Sequence, residues 1–187
     1  MVNNIFNQSI TVTRKINSSK DRLWEFISSP GYLNKSHPFC KENNIISWEK
    51  NKHVDELIYL NNLTYIREFI LWEDKIGYTL LIGEKNKEKS KVNWKISSNN
   101  NDTLLTITVY PYFMAKSPIF VSYLPYKLFI RPKLRNYLKS VIKGIDWYLE
   151  KKEIVPRNDF HEITLYESLG IAIQDIAAAK YVYDQLN

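Results

Sequence analysis

The chain has 187 residues, which is enough for one domain with a substantial core and too few for two full domains. Hydrophobic residues make up 44% of the sequence and charged residues 25%, a composition that is typical of a globular protein and excludes intrinsic disorder. The formal net charge is +6, but the basic residues are scattered and lysine far outnumbers arginine. Nucleic-acid-binding proteins concentrate these residues on one face or in a motif, so we predict solvated surface lysines and no nucleic-acid partner.

The sequence also predicts a soluble, cytoplasmic protein. Cys40 is the single cysteine, so an internal disulfide is excluded, as is usual in a reducing compartment. Residues 1–12 lack the basic segment followed by an apolar one that marks a secretory signal peptide. No apolar run approaches the length that spans a bilayer.

The first predicted elements are a strand and a short helix. Residues Ile10–Ile16 alternate and are rich in β-branched side chains, which predicts a strand. Ser18–Asp21 supplies helix-capping side chains, and the apolar residues that follow recur at helical spacing. Pro30–Gly31 ends this helix, and Tyr32–Pro38 is predicted to form another short helical turn.

The middle of the chain is predicted to be an antiparallel meander. Asn61–Asn62 and Glu73–Asp74 are typical of tight turns, and longer polar loops are predicted at Glu84–Ser90 and Ser97–Asp102. Connections this short join neighbouring antiparallel strands. The predicted strands are Ile45–Glu49, Val54–Leu60, Leu63–Glu73, Ile76–Gly83, Lys91–Ser97 and Thr103–Tyr112.

A long amphipathic helix is predicted from Pro132 to about Lys152. At a rise of 1.5 Å per residue, about twenty residues give about 30 Å, enough to cross a small sheet. Gly144 lies inside this helix, where it allows a bend or a close approach of the backbone to the sheet, or only weakens the helix. The apolar stripe consists of Leu134, Leu138, Val141, Ile145 and Leu149.

The segment before this helix is strongly apolar. Ser117–Pro118 combines a capping serine with a proline at the first helical position, which predicts a helix start. We predict that Ile119–Ile130 packs as a lid over the open end of the sheet. The alternative, suggested by the neighbouring basic residues, is transient contact with a membrane surface.

The end of the chain differs in charge. Residues 1–156 contain 24 basic and 15 acidic residues, whereas residues 157–187 contain two basic and five acidic ones. Pro156 lies at this change. We therefore predict one domain over residues 1–155 and an acidic tail over 156–187, in which Glu162–Tyr166 forms a strand and Gly170–Leu186 a helix.

The order of strand, short helices, meander and long helix resembles that of the START-like, or SRPBCC, superfamily, which includes Bet v 1-like plant allergens and polyketide cyclases. The opening ITVTRKINSSKDRLWEFISSPGYL is similar to the opening of these proteins, and the resemblance covers about residues 9–155. It implies an α+β helix-grip fold, in which a curved antiparallel sheet of six to seven strands wraps around the C-terminal helix and encloses an apolar cavity.

The tail EITLYESLGIAIQDIAAAKYVYDQL resembles the closing segment of the ornithine cyclodeaminase/mu-crystallin family, at Ser168, Gly170 and Asp175. Those enzymes need a Gly-rich dinucleotide-binding turn. No two of the five glycines here lie close enough to form one, so we predict no cofactor. The tail is interpreted as a fusion remnant or as an element that docks on a protein partner or on another copy.

Arg67 is the first candidate for ligand binding, since it is the only arginine in the predicted meander. If its side chain points inward, its guanidinium could bind a carboxylate or phosphate group bidentately. If it points outward, it would pair with an acidic residue on a neighbouring strand. The alternation of the strand does not decide between these directions.

Aromatic residues on different predicted strands could orient a ligand with hydroxyl and indole groups, or could pack in the core. The helix stripe would supply the opposite wall. Together with Arg67, the predicted ligand-binding residues are Tyr59, Trp72, Tyr78, Trp94, Tyr110, Leu138 and Ile145.

His37 and Cys40 form an H-x-x-C pair, and His53 follows. A zinc site needs about four ligands at characteristic spacings, which are absent, so we predict no metal site. A nucleophilic role for Cys40 also lacks a supporting signature, and a buried inert thiol is favoured.

Three functions remain open. The first is binding of a small hydrophobic or amphipathic ligand between the sheet and the C-terminal helix. The second is an enzyme similar to polyketide cyclases, with a tyrosine, a histidine or Arg67 assisting proton transfer in the same cavity. The third is protein interaction through the tail. The sequence favours a binding protein over an enzyme.

Overall fold

The computed structural model describes residues 9–50, 52–100, 102–112 and 130–156. Seven strands and three helices lie within these residues. In chain order they are β1 (Ile10–Ile16), α1 (Lys20–Ile27), α2 (Leu33–Ser36), β2 (Cys40–Glu49), β3 (Lys52–Tyr59), β4 (Thr64–Glu73), β5 (Gly77–Gly83), β6 (Ser90–Asn99), β7 (Asp102–Tyr110) and α3 (Arg131–Lys151).

The strands form one antiparallel sheet with the order β1-β7-β6-β5-β4-β3-β2. Each strand from β2 to β6 pairs with the next one along the chain, so the predicted meander is confirmed. β1 pairs with β7, from Ile10 opposite Val109 to Ile16 opposite Thr103. The connection through α1 and α2 therefore carries the chain from one edge of the sheet to the other.

The alternation of apolar and polar side chains along the strands explains which face of the sheet is buried. On β7, Leu105, Ile107 and Val109 point to the core, whereas the threonines between them point outward. The outward Thr106 and Thr108 hydrogen-bond to the threonines opposite them on β1. The sheet thus has one apolar face and one polar face, as is usual for antiparallel sheets.

The helix α3 lies on the apolar face, against β1 and α2. All five residues of the predicted stripe are buried. Near its C-terminal end the helix is bound to the first part of the chain, where Arg22 donates to the carbonyl of Leu149 at 2.6 Å and the backbone N–H of Asn17 donates to Asp146 at 2.7 Å. These contacts hold the helix across the sheet.

Gly144 allows a close approach of two helices. A Cβ at this position would lie 2.0 Å from the carbonyl oxygen of Ser36, at the end of α2. The close approach considered for Gly144 is therefore real, but its partner is α2 and not the sheet.

Two predicted boundaries were wrong. β2 begins at Cys40, five residues before the predicted start, because bulges and an exposed edge interrupt its alternation. Ser97–Asp102 is not a long loop, since β6 continues to Asn99 and β7 begins at Asp102. The predicted helix start at Ser117–Pro118, the lid up to residue 129 and the tail 157–187 lie outside the described residues.

None of the described helices combines the length and the apolar composition that a membrane-spanning helix requires.

Candidate functional site

A cavity of about 640 Å³ lies between the sheet and α3. Its sheet side is formed by inward residues of β3 to β7, and its helix side by residues of α3 that lie one turn apart. The helix therefore crosses the sheet without filling the space beneath it. Most of the wall is apolar, with Leu57, Leu80, Val92, Ile107, Leu138 and Val141 as typical members.

The wall of the cavity contains a buried ion pair. Arg67 on β4 lies directly opposite Asp55 on β3, and both side chains point inward. The Nε of Arg67 donates to one carboxylate oxygen of Asp55 at 2.7 Å and Nη2 donates to the other at 2.6 Å. Arg67 is 3% exposed and Asp55 is fully buried. The bidentate edge formed by Nε and Nη2 of Arg67 is thus occupied by Asp55 and not by a ligand.

Two aromatic rings lie beside the guanidinium. Its Nη1 donates to the hydroxyl of Tyr32 at 3.4 Å, and the hydroxyls of Tyr32 and Tyr78 are 2.7 Å apart. The rings of Tyr32 and Phe69 lie 5.5 Å and 5.3 Å from its central carbon, within cation–π distance. This packing replaces the hydration that the charged group loses on burial.

The charges of this cluster are fixed by its surroundings. Burial alone would lower the pKa of Arg67, but the Asp55 carboxylate and the Tyr32 hydroxyl outweigh it and raise the pKa, so the guanidinium stays charged. Burial raises the pKa of Tyr32, and raises that of Tyr78 well above its ordinary value, so both phenols stay neutral.

A second polar cluster joins α2, β3 and α3. Nε2 of His37 lies 2.9 Å from the hydroxyl of Tyr137, which lies 3.2 Å from the hydroxyl of Tyr59. The backbone N–H of Phe39 donates to Nδ1 of His37 at 3.2 Å. Since Nδ1 accepts, the neutral imidazole carries its proton on Nε2 and donates it to Tyr137. All three side chains of this His37–Tyr137–Tyr59 chain line the cavity.

His37 makes stability depend on pH. Burial, with a smaller contribution from the charge of Arg67, lowers the pKa of His37 to about 3. Its unfolded pKa is about 6.5, so below that pH only the unfolded state takes up the proton. Between pH 6.5 and pH 5 we expect the free energy of unfolding to fall by about 2 kcal/mol. Urea unfolding at several pH values measures this.

Two variants serve as comparisons for that experiment. Gln at position 37 keeps a donor but cannot titrate, so His37→Gln should remove most of the fall. Burial also lowers the pKa of His53, but this side chain is only partly buried. The His53→Gln protein should therefore show most of the fall in the free energy of unfolding. An equal fall in His37→Gln and the unmodified protein would contradict the assignment.

Four of the eight predicted ligand-binding residues line the cavity: Tyr59, Arg67, Trp94 and Leu138. The other four are not among its described lining residues. Trp72 stacks on His53 at 4.1 Å and on Tyr78 at 5.4 Å, in an aromatic cluster, and Tyr78 is held by Tyr32. Ile145 is fully buried in the core, and Tyr110 lies beside Lys91 at the end of β7.

Asp55, Tyr137 and His37 are residues of the site that were not predicted from the sequence. Asp55 lies on the inward face of β3 with Leu57 and Tyr59, so strict alternation could have indicated it. Tyr137 lies one turn after Leu134 on the apolar side of α3, which is a detectable signal. His37 was considered by number only as a metal ligand or a loop residue, although an unspecified histidine was considered for proton transfer, and nothing in the neighbouring sequence indicates its contact with Tyr137.

No group of three histidine, cysteine or acidic side chains within the described part of the chain could hold a metal ion. The thiol of Cys40 is buried, and its sulfur lies 3.9 Å from Oδ1 of Asn34.

Several solved structures share this architecture. TTHA0849 from Thermus thermophilus aligns with a TM-score of 0.62 and 15% identity, over 78% of this chain and 99% of that chain. DynU16, from the dynemicin biosynthetic locus, aligns with a TM-score of 0.60 and 12% identity, over 79% of this chain and 49% of that chain. Ara h 8.0201 aligns with a TM-score of 0.59 and 13% identity, over 76% of this chain and 97% of that chain.

The C-terminal part of the sequence has a different match. Residues 136–187 match the ornithine cyclodeaminase/mu-crystallin family, so the similarity predicted for the tail extends back into α3. No curated protein matches the sequence. At such low identities the structural neighbours establish the fold alone. The chain has the α+β helix-grip fold of SRPBCC and Bet v 1-like proteins, with a curved seven-stranded sheet and a long C-terminal helix.

Proposed function

We propose that this protein binds a small hydrophobic or amphipathic molecule in the cavity between the sheet and α3. The observation that carries the proposal is the cavity itself. Its volume of about 640 Å³ falls within the range of about 300–1,000 Å³ that is usual for small-molecule sites. A core without a ligand role is normally packed with few voids larger than a water molecule.

The distribution of polar groups supports an amphipathic ligand. The apolar wall favours the body of the ligand, since burial of apolar surface contributes about 25 cal/mol per Å². Arg67, His37 and the hydroxyls of Tyr59 and Tyr137 provide a few fixed polar groups that can orient one end. Such a combination is typical of ligand sites.

Uptake of an uncharged fluorescent probe, N-phenyl-1-naphthylamine, tests the proposal. Leu138 lines the cavity, so Leu138→Trp should occupy part of it and weaken probe binding by about tenfold or more. Leu71 is 50% exposed, and Leu71→Trp makes the same change outside the cavity. We expect this control to retain probe binding.

The binding proposal fails if the folded unmodified protein takes up no probe. It also fails if the Leu138→Trp and Leu71→Trp proteins, both shown to be folded by circular dichroism, bind the probe equally well.

A second candidate function is an enzyme similar to polyketide cyclases. The observation that favours it is the His37–Tyr137–Tyr59 chain, in which a neutral imidazole with a fixed tautomer orients two hydroxyls at the cavity wall. Tyr137→Phe would interrupt this chain with little change in shape.

Mass spectrometry of co-purified compounds separates the two functions. A binding protein should carry the same compound in the unmodified and Tyr137→Phe forms. An enzyme should carry product in the unmodified form and unreacted substrate, of different mass, in Tyr137→Phe.

A further inference from the structure

The described wall of the cavity has no surplus of positive charge. Among its described lining residues, the charged ones are Arg67, Glu84, Lys87 and Glu88. The charge of Arg67 is balanced by Asp55, and Lys87 lies 2.6 Å from Glu84. Glu88 adds a negative charge. This part of the wall therefore has no surplus positive charge with which to attract an anion.

Arg67 nevertheless keeps donors for a neutral ligand. A guanidinium has five N–H groups. Two donate to Asp55 and one donates to Tyr32. The remaining two have no hydrogen-bond acceptor among the described residues, and Arg67 lines the cavity. An oxygen acceptor of the ligand can satisfy them.

We propose, on the basis of the proposed binding function, that this cavity selects uncharged ligands with a carbonyl or hydroxyl oxygen, which accepts a hydrogen bond from Arg67, and excludes carboxylates. A ligand carboxylate at this place would lose its hydration and would lie close to a second carboxylate, Asp55, that already neutralises the guanidinium. Removing a neutral carbonyl or hydroxyl group from water costs much less free energy than removing a carboxylate.

A matched pair of ligands tests the selectivity. 2-Naphthamide and 2-naphthoate have nearly the same shape and differ in charge at neutral pH. We measure how each displaces N-phenyl-1-naphthylamine from the full chain at pH 7.5. Naphthamide should bind at least about tenfold more tightly. Naphthoate must either enter the cavity as an ion or first take up a proton, and the protonated fraction of naphthoate falls tenfold for each pH unit above its pKa.

A change of one charge should weaken or abolish this preference. Asp55→Asn keeps the size of the side chain but leaves Arg67 with an unbalanced positive charge. Its affinity for naphthoate relative to naphthamide should rise by at least about tenfold. Glu56→Gln removes one negative charge from the neighbouring position of β3, on the other face of the sheet, and should leave the ratio unchanged.

If Asp55→Asn does not fold, the unmodified protein still decides the question. The affinity of naphthoate should then fall steadily as pH rises from 5 to 8, while that of naphthamide stays constant. The selectivity is overturned if naphthoate binds as tightly as naphthamide at pH 7.5, if a folded Asp55→Asn protein keeps the original ratio, or if naphthamide does not displace the probe. Absence of probe uptake would instead overturn the binding function itself.

Discussion

Asp55→Ala is expected to lower the free energy of unfolding by about 3–5 kcal/mol. The carboxylate is fully buried and holds Arg67 through two hydrogen bonds of 2.7 Å and 2.6 Å. Without it, a charged guanidinium remains buried among aromatic rings with no counter-charge. Urea unfolding followed by tryptophan fluorescence measures the loss.

Two comparisons isolate the charge effect. In the double variant Asp55→Leu with Arg67→Met, no charge stays unpaired, and we expect most of the lost stability to return. Asp102→Ala removes the exposed ion pair with Lys15 and should cost at most about 1 kcal/mol. If Asp55→Ala were no more destabilising than Asp102→Ala, the buried pair could not be formed in solution.

Gly144→Ala is expected to destabilise the protein by about 1–3 kcal/mol, although alanine is the better helix former by about 1 kcal/mol. The added Cβ would lie 2.0 Å from the carbonyl oxygen of Ser36, and a backbone atom cannot move aside cheaply. The helix would have to shift away from α2. Thermal and urea unfolding of the variant measure the net effect.

Lys143→Ala provides the matched control, since residue 143 is the exposed neighbour in the same helix. We expect its free energy of unfolding to stay within about 0.5 kcal/mol of the original value. A Gly144→Ala protein as stable as Lys143→Ala, or more stable, would show that α3 does not contact α2 as closely as described.

The contact at Gly144 also bears on the cavity. The contact at Gly144 fixes the distance of α3 from α2, and α2 is followed directly by His37, which reaches Tyr137 on α3. A helix pushed outward by Gly144→Ala should therefore also weaken binding of N-phenyl-1-naphthylamine.

Elements with a regular local pattern could be predicted from the sequence. β1 has the predicted bounds, and α3 begins and ends within one residue of its predicted ends, because apolar residues recur along most of each element at the spacing of its secondary structure. β2 could not be delimited, since bulges at Cys40–Glu42 and Ile45–Ser47 break the period of two. Bulges interrupt local periodicity, and local periodicity is the signal on which such predictions depend.

The direction of Arg67 illustrates the same limit at the site. A bulge between Phe69 and Leu71 leaves both Ile70 and Leu71 exposed, so the strand does not alternate cleanly. From the sequence, an inward arginine and an arginine paired across the strands were therefore both possible. The structure combines the two, since Arg67 points inward and is paired with Asp55 opposite it.

The sequence by itself determined the order of elements, the apolar stripe of α3 and the presence of a single arginine in the meander, because each follows from residues within a few positions of one another. Only the tertiary structure decided that Asp55 neutralises this arginine, that Tyr137 accepts a hydrogen bond from a histidine 100 positions away, and that Gly144 faces Ser36. These contacts depend on strand register and on the position of α3 on the sheet, and both are set by the packing of the whole domain.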